Sequence, residues 1–126
     1  MSFIQRFTVL VTTIANGSAT AYSPHFTGKI SQIRYVKDGT TPYTDGVDFT
    51  ITAEATGENI WTQLNVNASV TVAPRQPVHS TAGVAALYAA GGTAIQEMIA
   101  IANDRVKIVI ADGGDSKIGT FFLLVE

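Results

Sequence analysis

The chain has 126 residues, no cysteine and a formal net charge of −2, with only 14% of residues charged. That length sets one domain, and the lack of cysteine excludes disulfides and thiolate metal sites. Lysines and arginines are scattered singly along the sequence, so no basic stripe stands ready to neutralise phosphates and nucleic acid is not an expected partner.

With so little charge, Thr, Asn, Ser, Gly and Ala must cover much of the surface. Such a surface hydrates weakly and suits close contact with other proteins. The opening MSFIQRFTVLVTTIANGS has an apolar run interrupted by Gln5, Arg6, Thr8, Thr12 and Thr13. It lacks the basic start and long apolar centre of a signal peptide and reads as a strand, with Phe7, Val9 and Val11 on one side. In Lys29–Val36 the apolar phase slips between Ile30 and Ile33, which predicts a bulge. Val47, Phe49 and Ile51 alternate with Asp48, Thr50 and Thr52, and Val66, Ala68, Val70 and Val72 alternate with Asn65, Asn67, Ser69 and Thr71. Both are period-2 patterns of half-buried strands. From Ile118 to Val125 both faces are apolar, which predicts a central strand covered on both sides. Asn16-Gly17, Asp38-Gly39, Asp45-Gly46 and Asp112-Gly113-Gly114 punctuate these runs with turn residues. The sum is an all-β domain spanning 1–126, a single antiparallel sandwich or jelly-roll-like barrel.

Residues 73–94 are the exception, predicted as a long loop or arm. Ala73-Pro74-Arg75-Gln76-Pro77 does not suit a regular strand, because its two prolines donate no ladder bond. Then VHSTAGVAALYAAGGTAI (78–95) follows, with no charge between Arg75 and Glu97. Its glycines, His79 and many alanines make it too weakly apolar for a membrane span, so no membrane association is expected. Only Val78, Val84, Leu87, Tyr88 and Ile95 carry much area to bury. Long loops in compact domains are usually functional or disordered. The readings are a smooth contact surface for a protein partner, anchored by Leu87 and Tyr88, or a loop packed on its own domain. Beyond it, Met98–Ala102 reads as a strand joined by an Asn103-Asp104 hairpin turn to Val106–Ala111. A helix is the alternative, from the spacing of Ile95, Met98, Ile99 and Ala102.

Catalytic chemistry has little to stand on. His25 and His79 are the two histidines, and neither has a second ligand-type residue at a metal-binding spacing. Ser23 and Ser80 are only sequence neighbours of these histidines. Asp38, Asp45 and Asp48, and separately Asp112 and Asp115, form oxygen-rich turns, but neither group follows the EF-hand pattern. The carboxylates offer no distinctive pair, and the glycine-rich stretches lack the Lys-Ser/Thr of a phosphate loop. The expectation is a protein that is not an enzyme and needs no cofactor. Trp61, Tyr35, Tyr43, Tyr22 and Tyr88 offer either a sugar-binding platform or packing.

The stretches VDFTITAEATGENIW, NVNASVTVAPRQPVHSTAGVAALYAAGG and ANDRVKIVIADGGDSKIGTFFLLV resemble a family of small virion proteins encoded among the head genes of tailed bacteriophages. The resemblance spans roughly residues 28–125, and its most particular motif is PRQPVHSTAGVAALYAAGG. It implies a capsid cement or decoration protein. Such a protein is a homotrimer on the outer surface of the capsid, assembled in the host cytoplasm and bridging subunits of the major capsid protein. Linked weak contacts would give it avidity. The family supplies no site residues. From this chain's own residues, we assign two docking candidates: an arm with Arg75, His79, Val84, Leu87 and Tyr88, and a strand within 1–14 with Phe3, Ile4 and Phe7. A head–tail joining or tail component, a carbohydrate-binding sandwich and a small hydrolase are the competing readings.

Overall fold

The computed structural model describes residues 3–126; Met1 and Ser2, which the expected docking strand and domain included, lie outside the described residues. Among the described residues, ten strands follow in chain order: β1 (Gln5–Thr12), β2 (Ala19–Tyr22), β3 (Phe26–Lys37), β4 (Val47–Ala53), β5 (Asn59–Val66), β6 (Val70–Val72), β7 (Arg75–Pro77), β8 (Gln96–Asp104), β9 (Val106–Ala111) and β10 (Ile118–Val125). They form two antiparallel sheets. One has the order β1-β10-β3-β8-β7, with β6 also pairing β3, and the other has the order β2-β9-β4-β5. The sheets stay separate, so the fold is a β-sandwich and the barrel alternative is set aside.

The period-2 pattern explains the core. Val9 and Val11, Phe121 and Leu123, and Ile33 and Tyr35 point inward from the larger sheet, while Val47, Phe49 and Ile51, and Val106, Ile108 and Ile110, answer them from the smaller one. At the centre, the fully buried Phe49 ring lies 4.7 Å from Tyr35, 5.0 Å from Phe121, 5.8 Å from Trp61 and 6.2 Å from Tyr43, all in edge-to-face geometry. These offset arrangements suit the ring quadrupoles and add to plain area burial.

The expected bulge is present. Leu124 pairs Gln32 and Val125 pairs Ile30, which leaves Ser31 as the extra residue. The inward face therefore passes from Ile30 to Ile33 without burying a polar side chain.

Four expectations need correction. First, Val66–Val72 is not one strand, because Val66 ends β5 in the smaller sheet and Val70–Val72 forms β6 in the larger one. The polar residues between them serve the corner: Asn67 Oδ1 accepts from Gly46 N (2.8 Å) and Ser69 Oγ accepts from Lys37 N (2.8 Å). Second, Arg75–Pro77 is a short strand, paired with Gln96–Met98. It lies at the sheet edge, where a proline's missing donor costs no ladder bond. Third, the Met98–Ala102 run is a strand as expected, but β8 and β9 form no hairpin. The chain changes sheets at Asp104-Arg105, where the buried Asp104 carboxylate accepts from Arg105 N (2.7 Å) and Ala55 N (3.1 Å). Fourth, β10 is interior to its sheet but covered on one side only. Phe121, Leu123 and Val125 are buried, while Ile118, Phe122 and Leu124 are half-exposed on the outer side.

Tyr43, on the β3–β4 loop, locks the sandwich from one end. Its hydroxyl donates to Val11 O (2.7 Å) in the interior. Its ring lies over Gly119, where an added Cβ would overlap the Tyr43 ring and hydroxyl. Both partners are rigid, so Gly119→Ala forces the ring or the strand to move. We expect it to lower stability by about 1–3 kcal/mol, the range for overpacking, and to be partly relieved by adding Tyr43→Ala. Chemical denaturation of the three proteins checks this.

Burial, reinforced by the nearby Asp38 and Asp45 carboxylates, pushes the Tyr35 phenol up to about 12. Burial also raises Tyr43, further still. A phenol raised in the fold stabilises it fully below the ordinary phenol range near 10 and loses that contribution as pH rises toward the folded value. Each such group removes about 1.4 kcal/mol per pH unit in that window. Unfolding free energy should therefore hold level up to about pH 9.5 and fall steeply between about pH 10 and 12. Denaturant titrations across that range, with Tyr35→Phe flattening the slope, are the check.

Candidate functional site

Residues 78–95 leave the larger sheet at its β7–β8 edge as an ordered arm. Two turns fold it, each placing a glycine at positive φ: Gly83 (77°) and Gly91 (70°). Ser80 N donates to Val84 O (2.8 Å) in the first turn, and Tyr88 N donates to Thr93 O (3.0 Å) in the second. The three segments so formed close on one another in a ring of backbone bonds. Val78 N donates to Ile95 O (2.8 Å), Ile95 N to Ala86 O (2.9 Å) and Ala86 N to Val78 O (2.8 Å). The alanines and glycines have a structural reason here, since small side chains let three backbones meet.

No residue of the arm is buried. Tyr88 is 74% exposed and Val84 64%, and Leu87 is open beside them. This is the smooth, uncharged projection read from the sequence, but held in one shape by its own hydrogen bonds. Its base is fastened to the body. Arg75 Nη1 donates to Ser31 O (3.1 Å) at the β3 bulge and to Pro74 O (2.9 Å), and Gln76 Nε2 donates to Glu97 Oε1 (3.1 Å). Arg75 thus orients the arm, and His79 lies on it, exposed.

The N-terminal candidates fall elsewhere. β1 pairs with β10 along its whole length and buries Val9 and Val11, so Gln5–Thr12 is part of the fold rather than a strand for donation to a neighbour. Phe7 is half-buried and stacks on Phe26 at 5.2 Å, while Phe3 and Ile4 are exposed ahead of the strand. β1 and β7 bound opposite edges of the sheet, four strand spacings or about 19 Å apart. The structure therefore does not bring the two candidate groups together.

The remaining candidates are used locally. Asp38 Oδ2 accepts from Thr40 N (3.0 Å) and Thr41 N (2.7 Å), and these backbone bonds hold its carboxyl below the usual range. Asp45 pairs with Lys37 Nζ (3.3 Å), and Asp48 accepts from Asn65 N (3.0 Å). Ser23 Oγ accepts from Val106 N (2.9 Å) and donates to Pro24 O (2.9 Å), which ties it to the loop rather than to His25. Tyr35, Tyr43 and Trp61 are core residues, and the Arg105 guanidinium covers the Tyr22 ring at 3.9 Å. The five aromatics therefore form no shared sugar-binding platform. Among the described residues, no group of three or more His, Asp or Glu is placed to hold a metal ion, and no helix is long and apolar enough to cross a membrane.

One feature escaped the sequence reading. A shallow depression of about 270 Å³ on the outer side of β1, β10 and β3 is lined by Arg6, Gln32, Arg34, Phe122 and Leu124. Its signal in the sequence is the second apolar face of residues 118–125, which alternation alone assigns to a covering layer.

No protein-family model and no curated protein matches the chain. A solved structure titled "Crystal Structure of FLHE" aligns over 99% of each chain with a TM-score of 0.46 and 8% sequence identity.

Proposed function

We propose that the protein is a tailed-bacteriophage capsid cement or decoration protein that binds major capsid subunits through the arm at residues 78–95. The observation that carries this reading is the arm itself: it is uncharged between Arg75 and Glu97, ordered by its own ladder and unburied on its own domain. An exposed apolar element held in one conformation loses little entropy on docking, so each contact delivers more of its interaction energy. Tyr88 and Leu87 are the anchors, since aromatic and aliphatic side chains entering pockets dominate binding energy at interfaces.

The role requires several such contacts at once. A homotrimer on the outer capsid surface presents three arms, and linked weak contacts raise avidity by about 10²–10⁴. That multivalency resists the outward pressure of packaged genome on neighbouring capsomers. Light scattering of the purified protein and copy number per particle test the reading together. A trimer of the 13.3 kDa chain, present in numbers comparable to the major capsid subunits, is expected. A monomer, or a ring-sized complement at one vertex of the head, counts against it.

A further inference from the structure

The sequence scatters its cations, but the fold gathers them. Arg6, Leu124 and Gln32 are register partners across β1, β10 and β3, and Thr8, Phe122 and Arg34 form the next row. Paired residues in a sheet share a face, so Arg6 and Arg34 project from the outer side together with Phe122 and Leu124. Arg75 pairs Met98, which alternates with the buried Ile99 and so belongs to the same side. Three of the chain's four arginines therefore project from one sheet face. Glu126 exchanges backbone bonds with Lys29 there, but neither Arg6 nor Arg34 is in an ion pair among the described residues. The chain nonetheless carries a net charge of −2. Its carboxylates lie largely on loops elsewhere, including Asp38 and Asp45 on β3–β4 and Asp112 and Asp115 on β9–β10.

We infer that this face is a second docking surface, for an acidic protein segment that sets an apolar side chain between two carboxylates. The floor dictates the apolar element. Phe122 and Leu124 are half-exposed, and the Arg6 guanidinium sits 5.6 Å from the Phe122 ring centroid. The flanks dictate the charge. Arg6 lies on β1 and Arg34 on β3, one on each side of β10 and one row apart along it, about 12 Å apart at the backbone by strand spacing and rise. Arg34 gives one donor to Thr71 Oγ1 (2.8 Å), leaving the others of its fork for a carboxylate, and a guanidinium binds that group in bidentate fashion. An extended segment with Glu-x-Leu-x-Glu spacing presents all three side chains on one face, matching this arrangement. A polyphosphate strand fits less well, because it offers no apolar group to the floor and meets a molecule of net negative charge. This surface is separate from the arm and does not depend on the capsid reading.

The test uses the full chain and a fluorescein-labelled peptide containing Glu-Ser-Leu-Ser-Glu, read by anisotropy. Saturable binding that weakens as salt rises is expected. Arg6→Gln, at an exposed residue with no side-chain hydrogen bond among those described, should weaken it at least about tenfold with the thermal midpoint unchanged. Adding Arg34→Gln should weaken it further, while Tyr88→Ser on the arm leaves it intact. Equal binding of a Gln-Ser-Leu-Ser-Gln peptide, indifference to Arg6→Gln, or tighter binding of oligothymidylate overturns the inference. So does salt-sensitive self-association that Arg6→Gln abolishes, because the occupant is then a second copy.

Discussion

Phe49→Ala should lower the unfolding free energy by about 3–5 kcal/mol, the cost of emptying a large aromatic site in a packed core. Phe49 is fully buried, and its ring meets four aromatic neighbours contributed by both sheets and the β3–β4 loop. All four, Tyr35, Phe121, Trp61 and Tyr43, are themselves held by strand pairing or hydrogen bonds, so the space collapses only in part. A single domain of this size has only about 5–15 kcal/mol of total stability, so this substitution removes a large share of it. Urea unfolding followed by the fluorescence of Trp61, 5.8 Å from the lost ring, measures the effect directly. A loss below about 1 kcal/mol is the value of a tolerated surface change and would mean that the cluster is not the centre of the sandwich.

That cluster was legible in the sequence as alternation, though not as a cluster. Val47-x-Phe49-x-Ile51 marks an inward face whatever the strand order. The convergence of Tyr35, Tyr43 and Phe121 on Phe49 depends on which strands face each other, which local pattern does not encode. The bulge in β3 was visible because it must keep Ile30 and Ile33 on one side. Where the chain changes sheets, the sequence misled. At Asn67–Ser69 the alternation of Val66 with Val70 and Val72 continues unbroken, but the polar residues between them bond to Gly46 and Lys37 and turn a corner. At Asn103-Asp104 the turn signal predicts a hairpin but the chain crosses sheets, because such a corner uses the same Asn and Asp residues that a hairpin does. The basic outer face is the plainest case of information held only in the fold. Arg6, Arg34 and Arg75 are far apart in sequence, and strand pairing alone puts them on one side.

The arm was recognised from composition, but its order was not. Low charge and many small residues are equally compatible with a flexible loop. The ring of bonds among Val78, Ala86 and Ile95 is what separates the two, and it allows a clean excision. Pro77 and Gln96 are register partners at the arm's base, so replacing residues 78–95 with Asn-Gly closes β7 and β8 through a two-residue hairpin turn, the preferred short connection. Because no buried residue is removed and the shorter loop closes at lower entropic cost, stability should change by no more than about 1 kcal/mol. Removing residues 2–12 instead strips β1 from its sheet, with Val9 and Val11, and should unfold the domain. Loss of binding in that truncation would therefore say nothing about docking.

For the proposed capsid role, the decisive measurement is co-sedimentation of the full-length and arm-replaced proteins with tailed-phage heads stripped of their outer proteins. The arm-replaced protein must first show an unchanged unfolding midpoint and strand content. The full chain should saturate the shells, and the folded, arm-less chain should stay in the supernatant. Equal binding by the two proteins, or heads that ignore the full chain altogether, would contradict the claim that residues 78–95 exist to hold this domain to a larger shell.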